Sequence, residues 1–137
     1  MATTTATITL SSTDLLSDEL ALSTTSTLTT AGTATGLTQT TGLARKKLAS
    51  GHAQYELLDG SDYTDDRAGK LYLKNTSTNA AEYFEILLGT VGSTKQLGRL
   101  FAGDWAFFPY MGSDDGDIRI DPSAANMVLE WMFFEDQ

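Results

Sequence analysis

Between residues 70 and 134 the apolar residues fall into six short runs, each closed by turn residues, and nowhere in the chain do they keep a 3.6-residue period over three turns. The runs are 70–75, 83–88, 96–101, 105–110, 117–121 and 127–134. Between them stand Asn75-Thr76-Ser77-Thr78-Asn79, the Gly89 to Gly92 turn, Ala102-Gly103-Asp104, the Gly112 to Gly116 loop and Pro122-Ser123. Strands at short, regular spacing with turn chemistry between them predict an all-β fold, an antiparallel β-sandwich of jelly-roll-like design. Single helical turns are expected only at 12–16 and 122–125.

The first third of the chain reads differently. Residues 1–42 contain 21 Ser or Thr and only three charges, Asp14, Asp18 and Glu19. A hydroxyl-rich opening could be a flexible tail, but 6–10 and 20–28 alternate apolar with hydroxyl residues. β-branched Thr is stiff at χ1 and suits a pleated surface. Two modest strands that need a partner surface are expected there. Gly32, Gly36 and Gly42 with interleaved Thr read as an extended arm. The domain reading is therefore an N-terminal Ser/Thr-rich arm over 1–48 and a β-sandwich body over 49–137.

At 137 residues one domain would bury about two-thirds of its unfolded surface, enough for a core without staples. The absence of cysteine excludes disulfides, thiolate catalysis and Cys-ligated metals. A net charge of −9 repels phosphate backbones, so nucleic acid is not an expected partner. Membrane binding is not expected either, since the apolar runs are far shorter than the roughly 20 residues a spanning helix needs. The opening residues lack the basic and apolar regions of a signal peptide.

Little points to catalysis. The single histidine, His52, sits in the polar stretch 50–53 and has neither a cysteine nor a second histidine to join it in a triad or zinc site. The carboxylates of 59–66 lack the ligand order of an EF-hand, and Asp114-Asp115-Gly116-Asp117 is first of all a turn signal. Calcium is the minor reading of both clusters, and a carboxylate-pair glycosidase a smaller one. The glycine-rich segments match no phosphate-binding pattern. No enzyme activity, metal or cofactor is expected.

Contact residues are easier to nominate. Arg45-Lys46-Lys47 holds three of the nine basic residues, as a solvated turn or as a dock for an acidic partner. Alternation puts Trp105 and Phe107 on one face of their strand and Ala106 and Phe108 on the other. It likewise sets Trp131 and Phe133 opposite Met132 and Phe134. Strands apolar on both faces are either central in a sandwich or covered by another subunit. Arg45, Lys46, Lys47, Trp105, Phe108, Tyr110 and Trp131 are the candidate partner-binding residues.

Several of these segments also resemble a known class. They are Lys70-Leu-Tyr-Leu-Lys-Asn-Thr-Ser, Tyr83-Phe-Glu-Ile, Leu97-Gly-Arg-Leu-Phe-Ala-Gly-Asp-Trp-Ala-Phe-Phe-Pro, Asp117-Ile-Arg-Ile and Leu129-Glu-Trp-Met-Phe-Phe-Glu. Together they resemble small virion proteins of tailed, cyanophage-like bacteriophages, specifically the capsid decoration or cement class. The resemblance covers about residues 65–137. It implies a structural, non-enzymatic module on the outer capsid surface of the virion, a homotrimer that bridges subunits of the major capsid protein. Alternatives of similar style are a tail, neck or head-fibre component. A carbohydrate-binding module, with Trp105, Tyr110 or Trp131 stacked on a sugar, is the alternative from another class.

Overall fold

The computed structural model describes residues 4–14, 20–28, 37, 39–49, 53–63, 69–112 and 116–135. It is an all-β sandwich, with eleven strands and one short 3-10 helix among the described residues. The strands are β1 (Thr4–Ser12), β2 (Leu20–Leu28), β3 (Gln39–Thr40), β4 (Ala44–Leu48), β5 (Tyr55–Leu58), β6 (Gly69–Asn75), β7 (Tyr83–Leu88), β8 (Lys95–Phe101), β9 (Trp105–Tyr110), β10 (Ile118–Pro122) and β11 (Met127–Glu135). All six strands expected between residues 70 and 134 are present.

The eight strands β4–β11 pair as one nested hairpin: β7 with β8, β6 with β9, β5 with β10 and β4 with β11, all antiparallel. Rolling that hairpin adds the pairs β6–β11 and β7–β10. The result is one sheet ordered β5-β10-β7-β8 facing another that runs β4-β11-β6-β9, with β3 extending the β4 edge of β11. That strand order is the jelly roll's. Gly42, at φ 72°, lies where the chain passes from β3 to β4 along β11.

Period-two burial explains the core. On β6, Gly69, Leu71, Leu73 and Asn75 are buried while Lys70, Tyr72 and Lys74 lie on the outer face. Leu71, Leu73, Leu129 and Phe133 from one sheet meet Phe84, Ile86, Ile118 and Ile120 from the other. Burying one such side chain contributes about 1.5–3 kcal/mol.

Two buried polar residues make further ties, Asn75 between the two sheets and Arg119 across the strands of one. Asn75 is fully buried at the end of β6. Its amide donates to the carbonyls of Leu100 (3.0 Å) and Glu82 (3.3 Å), and its Oδ1 accepts from Ser77 N–H (2.9 Å). On β10, Arg119 is only 8% exposed. Its guanidinium donates to Asp117 (2.8 Å), to Glu56, and to the carbonyls of Gly89 and Gln54 (both 3.2 Å).

The structure corrects three expectations. Strands β3 and β4 are hydrogen-bonded into the sheet of the body, so the body begins ahead of them and the arm does not run to residue 48. Residues 45–47 are strand rather than turn, because β11 supplies a full ladder opposite them. Residues 122–125 form no helical turn: Pro122 closes β10, and Asn126 at φ 62° reverses the chain into β11. The expected turn at 12–16 lies partly outside the described residues.

Candidate functional site

β1 and β2 form a separate antiparallel hairpin in unbroken register from Thr4 opposite Leu28 to Ser12 opposite Leu20. Alternation sorts it into two unlike faces. Ala6, Ile8, Leu10, Leu20, Leu22 and Leu28 share one, while the other is hydroxylic apart from Ala21. On the hydroxyl face Thr7 meets Thr25 at 2.7 Å and Thr9 meets Ser23 at 3.4 Å. On the apolar face Leu10 is 49% and Leu22 46% exposed. A lone two-stranded hairpin is marginal in water, and one with its apolar side bare calls for cover. At its base, the Leu37 amide donates to Leu28 O (3.3 Å) and the Thr4 hydroxyl to Leu37 O (3.4 Å).

The second surface is the outer face of the β4-β11-β6-β9 sheet, where register sets side chains in rows. Arg45, Glu130, Lys74 and Trp105 make one row, Met132, Tyr72 and Phe107 the next, and Phe134, Lys70 and Pro109 a third. Lys47 lies beyond the first row, beside Val128. Leu43, Tyr72, Phe107, Met132 and Phe134 line an apolar hollow of about 350 Å³ with Glu130 at its margin. Phe107 and Phe134 meet edge to face, centroids 6.3 Å apart.

Glu130 is buried in this face and held by Arg45, whose Nε lies 3.0 Å and Nη2 2.9 Å from its Oε2. Burial, then the charge of nearby Glu130, pushes the Tyr72 phenol up. Four cations, Arg45, Lys47, Lys70 and Lys74, thus surround an apolar centre with one carboxylate. The opposite sheet carries Glu56, Glu85 and Asp121 against Arg99 and Lys95, with the Asp117–Arg119 pair buried. The molecule is electrostatically two-sided.

The candidate residues named from sequence divide between the two sides of their sheet. Arg45 and Lys47 stand on the outer face, and Trp105, 53% exposed, joins them from edge strand β9. Lys46 points the other way, its ammonium 4.7 Å from the Tyr55 ring centroid. Phe108 and Trp131 pack against the core, and Tyr110 is buried in it with Phe133 at 5.6 Å. The Tyr110 hydroxyl has no hydrogen-bond partner among the described residues, and burial raises its pKa. Tyr72, Phe107, Met132 and Phe134 were not singled out as contacts, although the alternation already placed Phe107 beside Trp105.

Of the acidic clusters, Asp59 caps the short helix Gly60–Asp62, accepting from the Ser61 hydroxyl (2.7 Å) and amide (2.9 Å), which lowers its pKa. Asp117 binds Arg119 and the Gly60 amide (3.0 Å). His52, Asp65, Asp66, Asp114 and Asp115 lie outside the described residues. Among the described residues no group of three or more His, Cys, Asp or Glu could hold a metal ion.

Where edge strands β8 and β9 adjoin, the sheets part around an apolar cleft of about 330 Å³ lined by Ile86, Leu97, Leu100, Ala106 and Phe108. In comparisons with protein families, curated proteins and solved structures, the chain matches none. A jelly roll hosts many unrelated functions, so function has to be argued from these surfaces.

Proposed function

We propose that this protein is a structural subunit of a larger assembly: a decoration protein of a tailed-phage virion, seated on the outer capsid surface and bridging major capsid subunits. The observation that carries the reading is the β1–β2 hairpin, a built element whose apolar side is exposed at Ile8, Leu10 and Leu22. Such an element adds little to a domain by itself and gains its stability from a neighbour. The jelly-roll body and the resemblance of residues 65–137 support the same reading. In a shell, contacts that are weak one by one add up, because neighbouring subunits are already held in place.

The glycan-binding alternative loses support, since Tyr110 and Trp131 turn inward and only Trp105 of the three proposed stacking rings is well exposed. The test is quantitative mass spectrometry of purified particles of the phage that encodes the chain. Decoration predicts a copy number that scales with shell subunits, whereas a small fixed number would mean a tail or neck component and overturn the capsid reading. A variant lacking residues 1–36, which leaves β3 and β4 in the body, should stay folded and lose shell occupancy.

A further inference from the structure

We propose that the apolar face of the β1–β2 hairpin of one copy packs on the outer face of the β4-β11-β6-β9 sheet of a second copy. The inference goes beyond the capsid reading and does not depend on it.

Each surface lacks what the other supplies. The hairpin presents Ile8, Leu10 and Leu22 to solvent. The sheet presents the Met132-Tyr72-Phe107 row with Leu43 and Phe134 around a hollow. Two apolar sheet faces stack at about 10 Å with interdigitating side chains, which is how sandwiches are made. Lengths agree as well: β1, β2 and β11 each have nine residues. At about 3.3 Å per residue each spans roughly 30 Å.

Charge selects this face over the others. The only charges in residues 1–42 are Asp14, Asp18 and Glu19, all acidic and all at or within the connection from β1 to β2. The proposed receiving face carries Arg45, Lys47, Lys70 and Lys74 against Glu130 alone. The β5-β10-β7-β8 sheet presents Glu56, Glu85 and Asp121 against Arg99 and Lys95, its Asp117–Arg119 pair being buried, so it offers the acidic hairpin no comparable excess of cations. The β8–β9 cleft opens between two edge strands and offers a slot rather than a face for a two-stranded ribbon. Hairpin and receiving face are different patches, so the contact is head-to-tail, satisfied by reciprocal exchange in a pair or by closure of a ring.

The test uses the full chain and two variants, Leu10→Asp/Leu22→Asp in the hairpin and Met132→Asp in the receiving face. Circular dichroism verifies that both keep their strands, and light scattering reads mass. The wild type should exceed its 14.7 kDa monomer mass, and each variant alone should be monomeric. Mixing the two should restore a 1:1 heterodimer, because the Met132→Asp hairpin still fits the intact face of the other variant. A monomeric wild type at high concentration overturns the proposal and points to cover from its own chain or a different partner. So does a variant that still assembles alone, or a mixture that stays monomeric. Should Met132→Asp unfold, Lys70→Glu/Lys74→Glu replaces it as the face variant under the same criteria.

Discussion

Replacing Arg119 by methionine removes a side chain of similar length and flexibility that holds four acceptors at once. Among the described residues Asp117 would then keep the Gly60 amide alone as a partner, at a side chain that is 6% exposed. Removing one partner of a buried ion pair, lost hydrogen bonds included, costs about 3–5 kcal/mol in all. Glu56, 41% exposed at its side chain, rehydrates and adds little. Adding Asp117→Asn should restore part of the loss, since the charge is gone and an Asn Oδ1 can still accept from Gly60. What remains is the loss of donors to the Gly89 and Gln54 carbonyls, about 1 kcal/mol each.

Arg119→Met should therefore cost about 4 kcal/mol and the double variant about 2, a coupling of opposite sign to simple addition. Urea unfolding followed by tryptophan fluorescence reads this, with Trp131 packed on the core as reporter. With a slope near 2 kcal/mol per molar, the single variant's midpoint should fall by about 2 M and the double's by about 1 M. A single-variant shift below about 0.5 M, or a double variant that unfolds no later than the single, would refute the claim that this cluster is a buried, charge-balanced tie.

Other perturbations test the remaining ties. Asn75→Ala removes two amide donors and an acceptor from a fully buried site and should cost about 3 kcal/mol, read as a lower melting temperature. At Gly69 a Cβ would lie 2.5 Å from the Phe133 ring and 2.6 Å from the Tyr110 carbonyl, so Gly69→Ala should lose about 1–3 kcal/mol in the same urea assay. Gly98→Ala, with no atom within 4 Å of the added carbon, serves as its near-neutral control. Burial, and then Glu85, holds the Asp121 carboxyl above its ordinary value of 3.8, so the folded state favours the protonated form. Its ionisation therefore opposes folding, and stability from this group falls as pH rises past that ordinary value. Asp121→Asn should be more stable than the wild type at pH 7 and match it near pH 3 in paired melts.

The strands of the body were legible because their signal is local: alternation such as Lys70-Leu71-Tyr72-Leu73 is bounded by clusters of turn residues that are disfavoured in strand interiors. β4 was not, since Lys is poorly suited to strands and Leu48 is its one large apolar residue turned inward. Arg45-Lys46-Lys47 forms a strand because β11, more than eighty residues away in sequence, offers a ladder. β5 has four residues between polar stretches, too few to show a period. The candidate contact surface was half legible for a related reason. Alternation says which residues share a face, but a strand apolar on both sides does not say which face turns inward. Tyr110 is inside because Gly69 stands opposite it and leaves room. The rows of the outer face exist only once β4, β11, β6 and β9 lie side by side.

The hydroxyl face of the hairpin has a consequence for how its length can change. Sliding β1 past β2 by one residue would carry Ala6, Ile8 and Leu10 to the hydroxyl side, away from Leu20, Leu22 and Leu28, and so break up the apolar face. Sliding by two keeps both faces and replaces one Thr–Thr or Thr–Ser pair by another of nearly equal worth. Parity is thus strongly guarded while the step is almost free. Insertions or deletions in this hairpin should accordingly be tolerated in twos and rejected in ones, so the hairpin's reach can evolve in increments of about 7 Å without any change in the apolar face it presents.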